Sequence, residues 1–177
     1  AIVTTGDNTI VGNEAGKLTT TTLTAFGAFA GHDHVDGYNN TLIGRYAGRE
    51  ITNGHSNTVL GHASLQTATT AVTNTALGMH ALRLTTTGSD NTAVGHEALD
   101  ANTTGASNTA VGQDSLTLNT TGANNVAVGR LALAANTTAS NNVSVGQTSL
   151  MANTTGTGLT VLGTAAGRFN TTGNNNT

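Results

Sequence analysis

Residues 91–107 read NTAVGHEALDANTTGAS. Residues 108–124 read NTAVGQDSLTLNTTGAN, 125–141 read NVAVGRLALAANTTASN, and 142–158 read NVSVGQTSLMANTTGTG. The unit is seventeen residues long, and its fixed point is a glycine. Gly27, Gly44, Gly61, Gly78, Gly95, Gly112, Gly129, Gly146 and Gly163 fall seventeen apart, and Gly12 opens the series two residues short. Self-similarity at a fixed period marks a repeat architecture, in which each unit forms one layer of a stack. Residues 1–177 read as a single array, with units starting near 8, 23, 40, 57, 74, 91, 108, 125, 142 and 159.

Numbered from its leading Asn (Asn91 is position one), the unit has a distinct character at each place. Position four is large and apolar, as in Phe26, Ile43, Leu60, Leu77 and Val94. Position three is smaller, with Ala25, Ala76, Ala93, Ala110 and Ala127. Position eight is Ala or Ser, and position nine is Leu or Gly. The T-A-V-G segment suits an extended strand whose side chains alternate between faces. Size alone puts position four inside and leaves the small residues at three and five to pack against another surface. N-T-T-G supplies a corner, because Asn and Gly accept left-handed backbone. The competing helix over G-x-x-A-L-x-x-N fails on the Gly and Thr-Thr recurring in every unit.

The expected fold is therefore all-β: a parallel β-solenoid of about ten coils, spaced roughly 4.8 Å apart. Asn at positions one and twelve would hydrogen-bond up and down the stack, as in other cross-β ladders. Each coil offers few apolar side chains, too few to order seventeen residues alone. Stacking, and lateral cover from a second chain, would supply the rest. Residues 1–7 read as the tail of a preceding unit, with Thr4-Thr5-Gly6 matching Thr103-Thr104-Gly105. With neither end bearing an obvious polar cap, the chain reads as a fragment of a longer fibre, or as a unit that stacks end to end.

Composition narrows the function. Charged residues make up 8% and aromatic residues 3%, with a net charge of −3 from six basic and nine acidic side chains. Six Lys and Arg form no basic stripe for phosphates, so nucleic acid is not an expected partner. With no cysteine, disulfides and thiolate metal sites are excluded. No apolar run reaches the roughly 20 residues of a membrane span, so membrane insertion is not expected.

The AVG-x-x-A motif followed by a small-residue turn resembles the head repeats of trimeric autotransporter adhesins. Gly44-Arg45-Tyr46-Ala47-Gly48 with N-T-T-G is closer still to repeats in bacteriophage tail fibres. The resemblance covers about residues 4–177. It implies a homotrimeric extracellular fibre that binds a host surface, with a host glycan or protein as partner. It departs from the adhesin repeat by three extra residues in the turn. A non-enzymatic structural segment of a phage tail fibre is the first expectation, and a bacterial cell-surface adhesin or filament subunit is the alternative. An ice-binding protein ranks below both.

No catalytic, cofactor-binding or metal residue is assigned, and no cofactor is expected. Four features nevertheless bear on chemistry. His32-x-His34 on a strand would put two imidazoles on one face, and the tail-fibre resemblance implies that such pairs can hold iron. His80, Glu97 and Asp114 stack at position seven of successive coils, and Glu97 and Asp114 would lie near the ~5–5.5 Å spacing of a retaining glycosidase pair; a solvated column is the simpler reading. Asn102, Asn119, Asn136, Asn153 and Asn170 each begin an N-T-T sequon, which also reads as turn chemistry. The adjacent threonines of that turn would face opposite ways, leaving Asn102 and Thr104 as a weak ice-binding array. Receptor contacts are expected from positions six and seven, where Arg45, Tyr46, His62, His96 and Arg130 sit.

Overall fold

The computed structural model describes residues 2–3, 8–16 and 22–177, with residues 2–3 described as backbone only. It is an all-β parallel solenoid of about nine turns, with no helix among the described residues. Strand β1 (Ile2–Val3) is followed by β2 (Thr9–Val11), β3 (Leu23–Phe26), β4 (Asn40–Ile43), β5 (Thr58–Leu60) and β6 (Thr75–Leu77). Then come β7 (Thr92–Val94), β8 (Thr109–Val111), β9 (Val126–Val128), β10 (Val143–Val145) and β11 (Thr160–Leu162). The strands make one sheet in chain order. From β3 onward the register steps by one repeat, so that Thr75 pairs with Thr92 and Thr92 with Thr109. Strands β2 to β11 run parallel. Ile2–Val3 instead pairs antiparallel to β2. Those two residues are thus an edge strand rather than the tail of a parallel coil, and the expectation for Thr4–Gly6 lies outside the described residues.

The two faces of the strand are the reverse of the expectation from size. Position three is buried, as in Ala25, Leu42, Val59, Ala76, Ala93, Ala110 and Ala127, whereas Phe26, Ile43, Leu60 and Leu77 at position four are exposed. The strand reads outside–inside–outside along β5 to β10. Asn at position one sets this parity. It is buried at Asn40, Asn57, Asn74, Asn91, Asn108, Asn125 and Asn142. A period of two then carries position three inward and position four outward.

The Asn ladder forms as expected. Asn91 Oδ1 accepts from the backbone N–H of Asn108 at 3.0 Å and from its Nδ2 at 3.2 Å. Asn91 Nδ2 donates to Asn74 Oδ1 at 3.1 Å and to the Gly105 carbonyl at 2.9 Å. The amide therefore satisfies groups on its own coil and on both neighbours. A second ladder runs through position twelve, where Asn119 Nδ2 donates to Asn102 Oδ1 and Asn136 Nδ2 to Asn119 Oδ1. Buried amides with saturated partners lock register instead of destabilising the core.

The return segment is a chain of turns. In the coil that starts at Asn40 the N–H of Ala47 bonds the carbonyl of Gly44, Arg49 that of Tyr46, and Ile51 that of Gly48. Positions seven and nine lie third in the first two of these turns. They hold left-handed backbone throughout, with φ of 52–63° at seven and 46–59° at nine, the requirement of a type II turn. At position five, a Cβ on Gly95 would come within 2.6 Å of the Gly112 carbonyl oxygen, and φ there is 139°. The invariant glycine thus packs against the next coil of its own chain, which corrects the expectation of a separate surface.

Leu at position nine points inward: Leu65, Leu82, Leu99, Leu116, Leu133 and Leu150 are buried. Left-handed backbone strains a branched residue by roughly 1–2 kcal/mol, and burying Leu returns about 1.5–3 kcal/mol. Where Gly replaces it, a larger neighbour fills the space. A Cβ on Gly48 would lie 2.8 Å from both Leu42 and Ile51, and one on Gly16 would lie 2.7 Å from Ile10. Core volume is conserved by exchange between positions.

Candidate functional site

Positions six and seven leave the strand at the start of the turn chain, and the left-handed backbone at seven fixes their direction. Stacking of coils then lines up unlike residues into a ladder of rings. Phe29 stacks on Tyr46 at 5.3 Å between ring centroids, and Tyr46 meets His62 edge-on at 6.0 Å. His62 lies 5.7 Å from His80, and His80 lies 6.3 Å from His96. Arg45 donates from Nη2 to Tyr46 Oη at 2.8 Å, and its guanidinium carbon sits 4.4 Å from the Tyr46 ring centroid. Arg49 approaches the same ring at 5.7 Å, and its enclosed Nε meets no hydrogen-bond acceptor. Cation–π contact holds both guanidinia near the ring.

Four of the five residues expected to carry receptor contacts, Arg45, Tyr46, His62 and His96, belong to this strip. Arg130 occupies position six two coils beyond His96. His80 was expected in the position-seven column with Glu97 and Asp114, but Phe29 and Arg49 were not singled out; repeat position was the available signal for Phe29, since stacked coils juxtapose every residue at six and seven, whereas Arg49 comes from position ten.

Charged partners are also arranged by the period. Arg83 and Asp100 share position ten of adjacent coils and form a two-pronged pair, with Nε to Oδ1 at 2.7 Å and Nη2 to Oδ2 at 2.8 Å. The hydrogen bond to Asp100 raises the Arg83 pKa above its ordinary value, against a smaller effect of desolvation. Glu97 sits between two imidazoles, its Oε1 3.8 Å from His80 Nδ1 and 3.6 Å from His96 Nε2. Among the described residues, His80, His96 and Glu97 are the group whose ligand atoms lie mutually within 4.8 Å.

The other candidates fare differently. His32 and His34 lie at the end of the turn chain, so strand alternation does not apply to them. His32 is half-buried, with Nδ1 2.6 Å from Asp33 Oδ1 and Nε2 3.7 Å from Glu14. His34 is fully buried in the position-twelve column, where its Nε2 meets Asn40 Nδ2 at 3.0 Å. The two imidazoles have separate surroundings, which corrects the shared-face expectation; burial lowers the His34 pKa. Sequon residues Asn102, Asn119, Asn136 and Asn153 are buried in their ladder, as turn chemistry requires. Thr103 is half-buried and bonds its Oγ1 to the Thr120 carbonyl, while Thr104 is exposed beside it. With Asn102 inside, an Asn102–Thr104 array for ice does not exist.

No protein-family model, no curated protein and no solved structure matches this chain.

Proposed function

We propose that the chain is a structural, non-enzymatic segment of an extracellular fibre: the shaft or receptor-binding region of a bacteriophage tail fibre, with three copies associated side by side. The observation that carries this reading is the ridge at position four. Phe26, Ile43, Leu60 and Leu77 stand 37–45% exposed on successive coils, and Val94, Val111, Val128, Val145 and Leu162 continue the column. A straight apolar ridge roughly 40 Å long is larger than the scattered exposure normal for a lone soluble chain, and contiguous patches of this kind mark interfaces. Closed symmetry lets identical ridges cover one another. The ring and guanidinium strip lies on the edge beside that sheet. It offers π faces and guanidinium groups to a host glycan or protein.

A cell-surface adhesin or filament subunit is the second reading, since the same ridge and strip serve it equally. The full gene separates the two: a virion-attachment or chaperone domain favours the phage fibre, and an anchor barrel or secretion signal favours the adhesin. Sedimentation and native mass of the purified chain, with micrographs of its shape, test the fibre itself. A rod of three chains is expected. A monomer at tens of micromolar protein would overturn the proposal.

A further inference from the structure

We infer that His80, His96 and Glu97 form a surface site for a divalent transition metal ion such as zinc, nickel or copper. The ligand types suit these ions: imidazole nitrogen is favoured by zinc, copper and nickel, and one carboxylate offsets the charge. The geometry is close to what is required. Tetrahedral zinc with bonds near 2.0–2.1 Å places its ligand atoms roughly 3.3–3.4 Å apart. Glu97 Oε1 is already 3.6 Å from His96 Nε2 and 3.8 Å from His80 Nδ1, and all three ligand atoms lie within 4.8 Å. Small side-chain rotations close the remaining gap. All three residues are half-buried, so they are held by neighbours yet open to solvent on one side.

The backbone supplies the preorganisation. His80 and Glu97 hold the same position on adjacent coils, with φ of 63° and 55°, and His96 is the residue before Glu97. The coil spacing of about 4.8 Å therefore fixes the separation of the two position-seven side chains. Both prongs of Arg83 are spent on Asp100, so its Nε and Nη2 hydrogen bonds do not go to Glu97. A further carboxylate, Asp114, stands on the next rung of the column. His96 Nδ1 is enclosed and makes no hydrogen bond. The site thus lacks the acceptor behind the imidazole that strengthens buried zinc centres, and the affinity expected is micromolar rather than nanomolar.

The test is titration of the purified chain with zinc by calorimetry and with cobalt by visible absorption. One equivalent should bind. His80→Ala and His96→Ala should each weaken binding at least ~10-fold, the lower bound for losing even an outer-shell partner. His32→Ala and His55→Ala should leave it unchanged. Copper broadening of imidazole proton resonances provides a readout on the unaltered protein: two of the six histidines should broaden first. Absence of saturable binding up to millimolar metal overturns the inference. So does binding that survives both His80→Ala and His96→Ala, or broadening centred on His32 and His34.

Discussion

At the scale of single residues, the buried amides bear the most weight. Asn108 Nδ2 donates to Asn91 Oδ1 and the Gly122 carbonyl, while its Oδ1 accepts from the N–H and Nδ2 of Asn125. Asn108→Ala leaves the Asn125 N–H without its acceptor inside the core, while the Gly122 carbonyl keeps its bond from Asn119 Nδ2. A stranded buried group costs about 1–3 kcal/mol, so urea unfolding should show a loss of that order. Exposed Thr121→Ala should stay within about 0.5 kcal/mol. His34 makes a second residue-scale prediction. Burial lowers its pKa in the folded chain, so the unfolded chain binds the proton more readily. The contribution of neutral His34 is full above an ordinary imidazole pKa of about 6.5. It is lost as pH falls toward the lowered folded value. His34→Asn places the usual position-twelve residue there. Its urea midpoint should change less between pH 7 and pH 5 than that of the parent chain; equal changes would remove His34 as the cause.

At the scale of one coil, the turn chain and the core are coupled through position nine. Leu there accepts left-handed strain because its side chain fills the volume that a small position three leaves open. Gly48 with Leu42 is the opposite solution, and a Cβ at Gly48 would meet Leu42 at 2.8 Å. Gly48→Leu alone overpacks the coil at about 1–3 kcal/mol, and Leu42→Ala alone leaves a cavity worth about 2–5 kcal/mol. Together they reproduce positions three and nine of later coils, such as Ala93 with Leu99, while Ile51 stays at position twelve beside the new Leu. A double-mutant cycle should find the pair less damaging than the sum by about 1–3 kcal/mol. Strict additivity would refute the exchange.

At the scale of the molecule, each coil bonds only to the coils on either side, so stability is built from unit and nearest-neighbour terms. The apolar ridge runs the length of that stack without interruption, which single coils could not present. Leu60→Thr with Leu77→Thr keeps β-propensity on an outward face and removes two adjacent exposed apolar side chains from the ridge. Sedimentation should show the proposed assembly dissociating, while the circular dichroism of the β stack persists. An unchanged assembly would move the interface elsewhere.

The seventeen-residue period, read from Gly27 to Gly163, was enough by itself to determine a parallel stack with one repeat per coil. The recurring Asn determined its ladders, because identical amides one rung apart have nowhere better to bond. The absence of helix followed from Gly and Thr-Thr in every unit. Which face of the strand points inward was decided only by the tertiary structure. Size favoured position four, yet positions one and four have opposite parity, and the buried amide ladder outweighs one methyl-rich side chain. The Leu-or-Gly choice at position nine was visible, but its meaning needed the left-handed turn that aims the side chain into the core. The stacking of His80 on Glu97 was legible in their shared position seven, but the ring strip and the joining of His96 to that pair were hidden for a related reason. They join unlike residues from different coils at neighbouring positions, and only stacking in three dimensions brings those side chains within reach.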